Sequence, residues 1–262
     1  MFEIRRLSSK IAIQVILALL VIPFVLPLVQ AVRSSLSGAG WGNYKAVFNT
    51  GVIPTYFRNS ALLAAGTIAV VLCLTMLASY GFAKLRIPGK ELFFWLLLAA
   101  LTLPEVVLVV PLFVTANALS LYDTLWAVML PLAALQTPFT ILLARNFYEG
   151  IPNELIEAGR IDGASVVQVF WHIVLPLTKP IMAAITVLTL IGAWNSYLLP
   201  MVLLQAPDNQ VVTLLPQFFV SAYTNDQTKV LAGAVITALP EVLAYLLLQK
   251  YFERGLSAGA LK

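Results

Sequence analysis

Residues 151–180 read IPNELIEAGRIDGASVVQVFWHIVLPLTKP, the most polar long segment of an otherwise apolar chain. Asn153 follows Pro152 and suits a helix N-cap, and Glu154 and Glu157 fall in the first turns, where the helix dipole favours acids. Asp162-Gly163 is a breaker pair, because glycine takes the left-handed backbone that ends a helix. Ser165 and Gln168 have capping-box spacing, directly ahead of the apolar run 166–175. Pro176 and Pro180 punctuate the exit. The pattern predicts two short helices joined by a tight turn and lying outside any bilayer. Ala158 and Gly159 are small enough for a partner to approach closely.

The rest of the chain says which bilayer-crossing elements flank that segment. Of 262 residues, 60% are hydrophobic and only 11% charged, and mean hydropathy is +0.91. That composition is one of a polytopic membrane protein. The net charge of +4 therefore matters through its distribution across loops, and it does not point to nucleic acid. The single cysteine, Cys73, lies in an apolar run, can form no internal disulfide, and reads as a small buried hydrophobe.

Six apolar runs are long enough to cross: 11–32, 59–83, 92–116, 124–147, 181–204 and 230–251. The first competes with a signal peptide ending near Val29-Gln30-Ala31, but it is longer than a signal core of ~7–15 residues and reads as a retained span. Residues 33–58 form a polar loop with an interfacial piece around Trp41, Tyr44 and Phe48, and 205–228 a second polar loop of amphipathic character. The expected fold is an all-α integral membrane protein. One domain, 1–262, holds six transmembrane helices, with the helix-turn-helix of 148–180 between spans four and five.

Six spans put both termini on one side. Arg5, Arg6, Lys10, Lys84, Arg86, Lys90, Arg145, Arg160, Lys179, Lys250, Arg254 and Lys262 share that side, and only Arg33, Lys45, Arg58 and Lys229 lie opposite. The positive-inside rule then puts the termini and the helix-turn-helix in the cytoplasm.

Glu105, Gln136, Asn195 and Glu241 fall near the middle of their spans. A lipid-facing carboxylate there costs at least ~2.5–3.5 kcal/mol, so these side chains face a bundle interior, a partner or a wet cavity. Gln136 reads first as interhelical glue. Glu105, after Pro104, and Asn195, between Trp194 and Tyr197, read equally as such glue or as the lining of a pathway, and Trp194 with Asn195 has the aromatic face and amide that suit a neutral polyol. Glu241, after Pro240, either lines the route or pairs at a subunit interface. Prolines 104, 111, 131, 138, 200 and 240 interrupt backbone hydrogen bonding within the spans. The only histidine, His172, lies in the helix-turn-helix, and the sequence carries no zinc-protease motif, Walker-type loop or paired cysteine ligands.

The helix-turn-helix resembles the Glu-Ala-Ala loop of ABC-importer permeases, in which a glycine and then Ile-x-Leu-Pro follow at fixed spacing. Glu157, Ala158, Gly159, Gly163, Ile173, Leu175 and Pro176 fall on that pattern, with Gly159 in place of the second alanine. Asp162-Gly163-Ala164-Ser165 is similar to the variant of carbohydrate importers. Asn59-Ser60 resembles the start of the transport core, about 59–262, and Trp194-Asn195 with Pro200 the Trp-Asn motif of the fifth span. The final residues, Gly255 to Lys262, resemble the tail of maltose-type permeases.

The resemblance implies the second permease subunit of a carbohydrate ABC importer in a bacterial or archaeal plasma membrane. It implies a homologous permease as heterodimer partner, an ATPase dimer that binds ATP and Mg, and an extracytoplasmic sugar-binding protein. This chain itself would have no catalytic residue, cofactor or metal. Glu157, Ala158, Gly159, Asp162, Gly163 and Ala164 would couple to the ATPase. Glu105, Gln136, Trp194, Asn195, Tyr197 and Glu241 would line the pathway, the 205–228 loop would enter the binding protein, and the tail would reach the ATPases. The competing classes are an ion- or proton-driven carrier using Glu105 and Glu241, and an integral-membrane enzyme, which the lone histidine argues against.

Overall fold

Long apolar runs bounded by polar turns fold as helices because a bilayer leaves backbone groups no partners but their own. The computed structural model describes residues 7–220 and 226–260, with side chains over 10–220 and 226–247. In chain order the α-helices are α1 (Leu7–Ser35), α2 (Trp41–Phe48), α3 (Ile53–Lys84), α4 (Lys90–Ala99), α5 (Glu105–Ala118), α6 (Leu125–Glu149), α7 (Asn153–Ile161), α8 (Val166–Val169), α9 (Leu175–Leu177), α10 (Lys179–Trp194), α11 (Leu198–Leu203) and α12 (Gln227–Ala260). Among the described residues, Lys10–Ser35, Ile53–Lys84, Leu125–Glu149 and Gln227–Leu247 are each long and apolar enough to cross a membrane, and two bent helix pairs add further candidates. Contacts divide the chain into two units, Met1–Gly51 with Leu215–Leu239, and Val52–Leu214 with Pro240–Lys262.

In the smaller unit α1 is apolar all round and exposed along its span, the signature of a helix that meets lipid or another chain. The expected interfacial piece is α2. The Asn43 amide donates to the Ser35 and Ser37 carbonyls, each at 2.8 Å, and the Ser35 and Tyr44 hydroxyls pair at 2.6 Å. Asp226 caps the start of α12. Its carboxylate accepts from the Thr228 hydroxyl at 2.7 Å and the Lys229 amide at 3.3 Å, and pairs with the Lys229 ammonium at 2.8 Å. The hydrogen bonds from Lys229 and Thr228 hold this carboxyl down at about 2.

In the larger unit α3 and α6 lie along one another and α10 packs on both. Small and hydroxylated residues let the backbones approach. The Thr75 and Thr140 hydroxyls pair at 2.7 Å, the Ser79 hydroxyl donates to the Ile141 carbonyl at 3.3 Å, and Gly66 leaves room for the Met129 thioether.

Several expectations need correction. The third span breaks at Pro104, as its sequence predicts, but not at Pro111: α4 and the 3₁₀ turn Ala100–Thr102 meet α5 at 102°. Pro104 has no amide hydrogen and forces Leu103 to extended backbone (φ −80°, ψ 117°), which stops the helix. Pro111, Pro131, Pro138 and Pro240 instead sit inside continuous helices. The fifth span ends at Trp194 and resumes as α11. The start of the 205–228 loop is not a free polar loop, since Val211, Val212 and Leu214 are buried. The Asn59 amide holds it by donating to the Asp208 and Gln210 carbonyls at 2.7 and 2.9 Å, and the Val212 amide donates to the Ser60 hydroxyl at 2.8 Å. The loop's residues 221–225 lie outside the described residues, as do Leu261 and Lys262, and no side chain beyond Leu247 is described. Cys73 is exposed, in a cleft with Phe170 and Trp171, and not buried.

Candidate functional site

Two parts of the larger unit carry chemistry: the helix-turn-helix, and a pair of clefts among the spans. The helix-turn-helix begins where the end of α3 holds it. The Lys84 ammonium donates to the Ile151 carbonyl at 2.6 Å and to Asn153 Oδ1 at 2.9 Å. That contact claims the Asn153 side chain. Pro152 takes the N-cap position and Asn153 makes no capping bond, contrary to the sequence reading.

The turn after α7 is a Schellman closure. The Gly163 amide donates to the Arg160 carbonyl at 3.0 Å and the Ala164 amide to the Gly159 carbonyl at 2.9 Å, with Gly163 at φ +82°. The Ser165–Gln168 capping box forms as spaced, at 2.8 and 3.3 Å. Behind it the chain takes a π turn, Phe170–Val174, and bends 75° at Thr178 into α10. His172 sits exposed in that turn, with Nδ1 3.0 Å from the Gln168 carbonyl.

Gly159 serves a different contact from the one expected. It is buried, and a Cβ there would lie 2.5 Å from Ile173 Cδ1. Its small size lets α7 close on its own second half and leaves no room there for an outside partner. Ala158 is exposed, with Glu157 and Asp162. The inner side chains Ile156, Val169, Phe170 and Val174 join one buried cluster with Met76, Tyr80, Tyr148, Ile181 and Ile185 of the spans. Each contributes roughly 1.5–3 kcal/mol by burial. The Tyr80 hydroxyl donates to the Val166 carbonyl at 3.4 Å, and the Tyr148 hydroxyl to the Met76 carbonyl at 3.3 Å. The outer face carries Leu155, Ile161, Val167 and Trp171, with Ile161 86% exposed. The element is thus rigidly joined to the spans on one side and apolar and open on the other.

Of the six polar or aromatic pathway candidates, two line one cleft, two line a second, and Asn195 and Tyr197 line neither. Glu105, at the first turn of α5, meets Gln136 of α6 and Gly192 of α10 in a cleft of ≈ 370 Å³ that also includes Phe139, Thr140 and Leu188. The Gln136 amide lies across Gly192, whose added Cβ would sit 3.0 Å from Oε1. Gln136 thus lines a cleft and, among the described residues, its side chain makes no interhelical hydrogen bond. Trp194 and Glu241 share the second cleft, ≈ 170 Å³, with Ile191, Pro240 and Tyr245. At its edge Asn195 Nδ2 donates to Glu241 Oε1 at 2.5 Å, so Glu241 pairs within this chain. Trp194 also stands edge-on to Phe57, with centroids 6.0 Å apart. Tyr197 is exposed and belongs to neither lining. Among the described residues no three His, Cys, Asp or Glu side chains converge on a metal-sized point.

A capped helix-turn-helix packed onto a bundle of long apolar helices is the architecture of a membrane-embedded subunit. The chain matches the family described as "Binding-protein-dependent transport system inner membrane component" over residues 76–258, and it belongs to that family. It is a non-catalytic, multi-pass inner-membrane subunit of an ABC importer. It is 35% identical over 220 residues to "Probable ABC transporter permease protein YurM" of Bacillus subtilis, covering 84% of this chain and 73% of that one. It is 33% identical over 221 residues to "Arabinooligosaccharides transport system permease protein AraQ" of Halalkalibacterium halodurans, covering 84% and 78%. In fold it is similar to a chain of a bacterial ABC transporter that imports the acidic polysaccharide alginate, with a TM-score of 0.78 and 24% identity over 96% of this chain and 99% of that one.

Sequence reasoning placed Ile173 on the family pattern without its contact with Gly159, and it missed Lys84 and Gly192 as determinants of these sites. Lys84 and Gly192 carry a signal in retrospect: a lysine at the last turn of a span and a glycine inside one. The spacing of Ile173 ahead of Leu175 and Pro176 marks its place in the pattern but not the residue it packs against.

Proposed function

We propose that this chain is one of two homologous permeases in an ATP-driven carbohydrate importer, with the helix-turn-helix docked on an ATPase subunit. The observation that carries this reading is the double nature of that element. Its inner face is fused to the core of α3, α6 and α10, and its outer face presents apolar and acidic groups. A force applied at Glu157, Ala158 or Asp162 would pass to the spans without being absorbed in a loose joint. Gly159, Gly163 and Ala164 hold the shape of that lever.

The carbohydrate assignment draws on the arabinooligosaccharide relative and on the chemistry of the clefts. Glu105, Gln136, Trp194, Asn195 and Glu241 offer the amides, carboxylates and aromatic faces that polyols bind, and Tyr197 stands beside them as a contact for the partner permease. ATP and Mg belong to the ATPase dimer, and an extracytoplasmic binding protein delivers the cargo. In this reading the termini and the lever face the cytoplasm, which the distribution of basic residues supports.

Purification of the tagged chain in gentle detergent tests the assembly. An ATPase and a second permease should co-purify, and a cysteine at Ala158 should cross-link to the ATPase. Uptake that continues without any ATPase would overturn the reading.

A further inference from the structure

The cleft that holds Glu105 forms where α5, α6 and α10 meet. Its carboxylate comes from α5 and its amide and aromatic ring from α6, with Leu188 and Gly192 of α10 completing the wall, while the Thr140 hydroxyl there already pairs with Thr75 at 2.7 Å. Its ≈ 370 Å³ lies within the roughly 300–1,000 Å³ usual for ligand clefts. Among the described residues, neither the Glu105 carboxylate nor the Gln136 side-chain amide has a hydrogen-bond partner, although both are half-buried. Accessible polar groups without partners inside a membrane protein are open to a ligand, to water or to a neighbouring subunit.

The lining contains no lysine, arginine or histidine, and neither does that of the Glu241 cleft. The one arginine late in α6, Arg145, is committed elsewhere, to Glu91 at 2.9 Å and Glu149 at 3.0 Å. An anionic sugar entering here would meet a fixed negative charge with no cation to offset it. In a partly desolvated cleft such like-charge repulsion is only weakly screened. A neutral polyol would instead give hydroxyl donors to Glu105, exchange hydrogen bonds with Gln136, and lay a ring face against Phe139.

We infer that the Glu105–Gln136–Phe139 cleft is a binding station for uncharged polyhydroxyl cargo that excludes uronate and phosphorylated sugars. This chain would thus differ in cargo charge from the acidic-polysaccharide importer whose fold it shares. The inference rests on the import reading and assigns this subunit a selective role within it.

The test uses nanodiscs carrying the complex that co-purifies with the tagged chain, in a Cys73→Ser, Leu188→Cys background, so that the reporter thiol lines the cleft. Rates of modification by a cationic trimethylammonium-ethyl and an anionic sulfonatoethyl thiosulfonate are compared, each normalised to a free thiol. The normalised cationic-to-anionic ratio should be about tenfold, should fall toward one in Glu105→Gln, and should persist in Glu105→Asp. Arabinotriose or maltotriose at millimolar concentration should slow modification at least about threefold, trigalacturonate should not, and Gln136→Ala should abolish the protection. A ratio unmoved by Glu105→Gln, equal protection by trigalacturonate, or no protection by either neutral trisaccharide overturns the inference. ATP-dependent uptake, measured separately, tests the parent reading, since a charge-selective cleft in a chain that needs no ATPase would sink that reading alone.

Discussion

Asn195 Nδ2 and Glu241 Oε1 stand 2.5 Å apart, joining the residue that ends α10 to the residue after the proline in α12. The two are 46 positions apart in sequence, and both sit where a helix is interrupted or weakened. The bond links the broken fifth span to the proline-containing sixth beside Trp194.

If this bond acts as one unit, its two ends are not independent. Asn195→Ala and Glu241→Ala should each reduce uptake about threefold to tenfold, and the double variant should fall no further than the worse single one. Initial uptake rates in membrane vesicles provide the cycle. Multiplying losses, or loss of the co-purifying subunits, would show that the two residues act separately or hold the assembly together.

Contact between Gly159 and Ile173 sets the thickness of the lever. The group that a Cβ would meet is the far end of the Ile173 side chain, which can rotate aside. Gly159→Ala should therefore cost less than ~1 kcal/mol and keep uptake. Gly159→Val overpacks the joint by about 1–3 kcal/mol, and Ile173→Ala should restore part of the loss. Uptake and limited proteolysis between residues 153 and 178 provide the comparison.

At Gly163 the backbone itself is the constraint, with φ +82° and no side chain within reach of a Cβ. Gly163→Val forces a branched side chain into the left-handed region, at about 1–2 kcal/mol, and Gly163→Asn should be milder. We expect normal membrane levels but ATP hydrolysis that no longer yields uptake. Preserved coupling in the valine variant would remove the lever from the mechanism.

The cap of α12 depends on pH. Folding lowers the Asp226 pKa to about 2 through the bonds from Lys229 and Thr228. Its contribution is therefore complete above the ordinary carboxylate value near 4 and disappears as pH falls toward 2. Hydrogen exchange at the Lys229 amide, corrected for its intrinsic rate, should lose protection over that interval, and Asp226→Ala should lose it at every pH. Unchanged protection down to pH 2 would contradict the cap.

Much of this architecture was legible in the linear chain because its signals are local. Apolar runs announce helices, and Gly163 and the Ser165–Gln168 spacing announce the turn. Proline 104 marked an interruption, but not its 102° angle. Prolines 111, 131 and 138 carry the same local signal and break nothing: 131 and 138 lie in α6, which is packed along its length, while 111 lies in the largely exposed α5.

The sites show the same division. Sequence supplied the chemical types at Glu105, Gln136, Asn195 and Glu241, because unpaired polar groups in apolar runs need a reason to be there. It did not sort them into a Glu105–Gln136 cleft and an Asn195–Glu241 bond, nor turn Gly159 inward. Those outcomes depend on how α3, α6 and α10 cross and on the bends at Pro104 and Thr178. Amino-acid order by itself determined a helical membrane protein with a capped helix-turn-helix, since the bilayer and the backbone enforce that locally. Only the tertiary structure decided which polar groups meet, because side chains tens of residues apart are brought together by packing rather than by spacing.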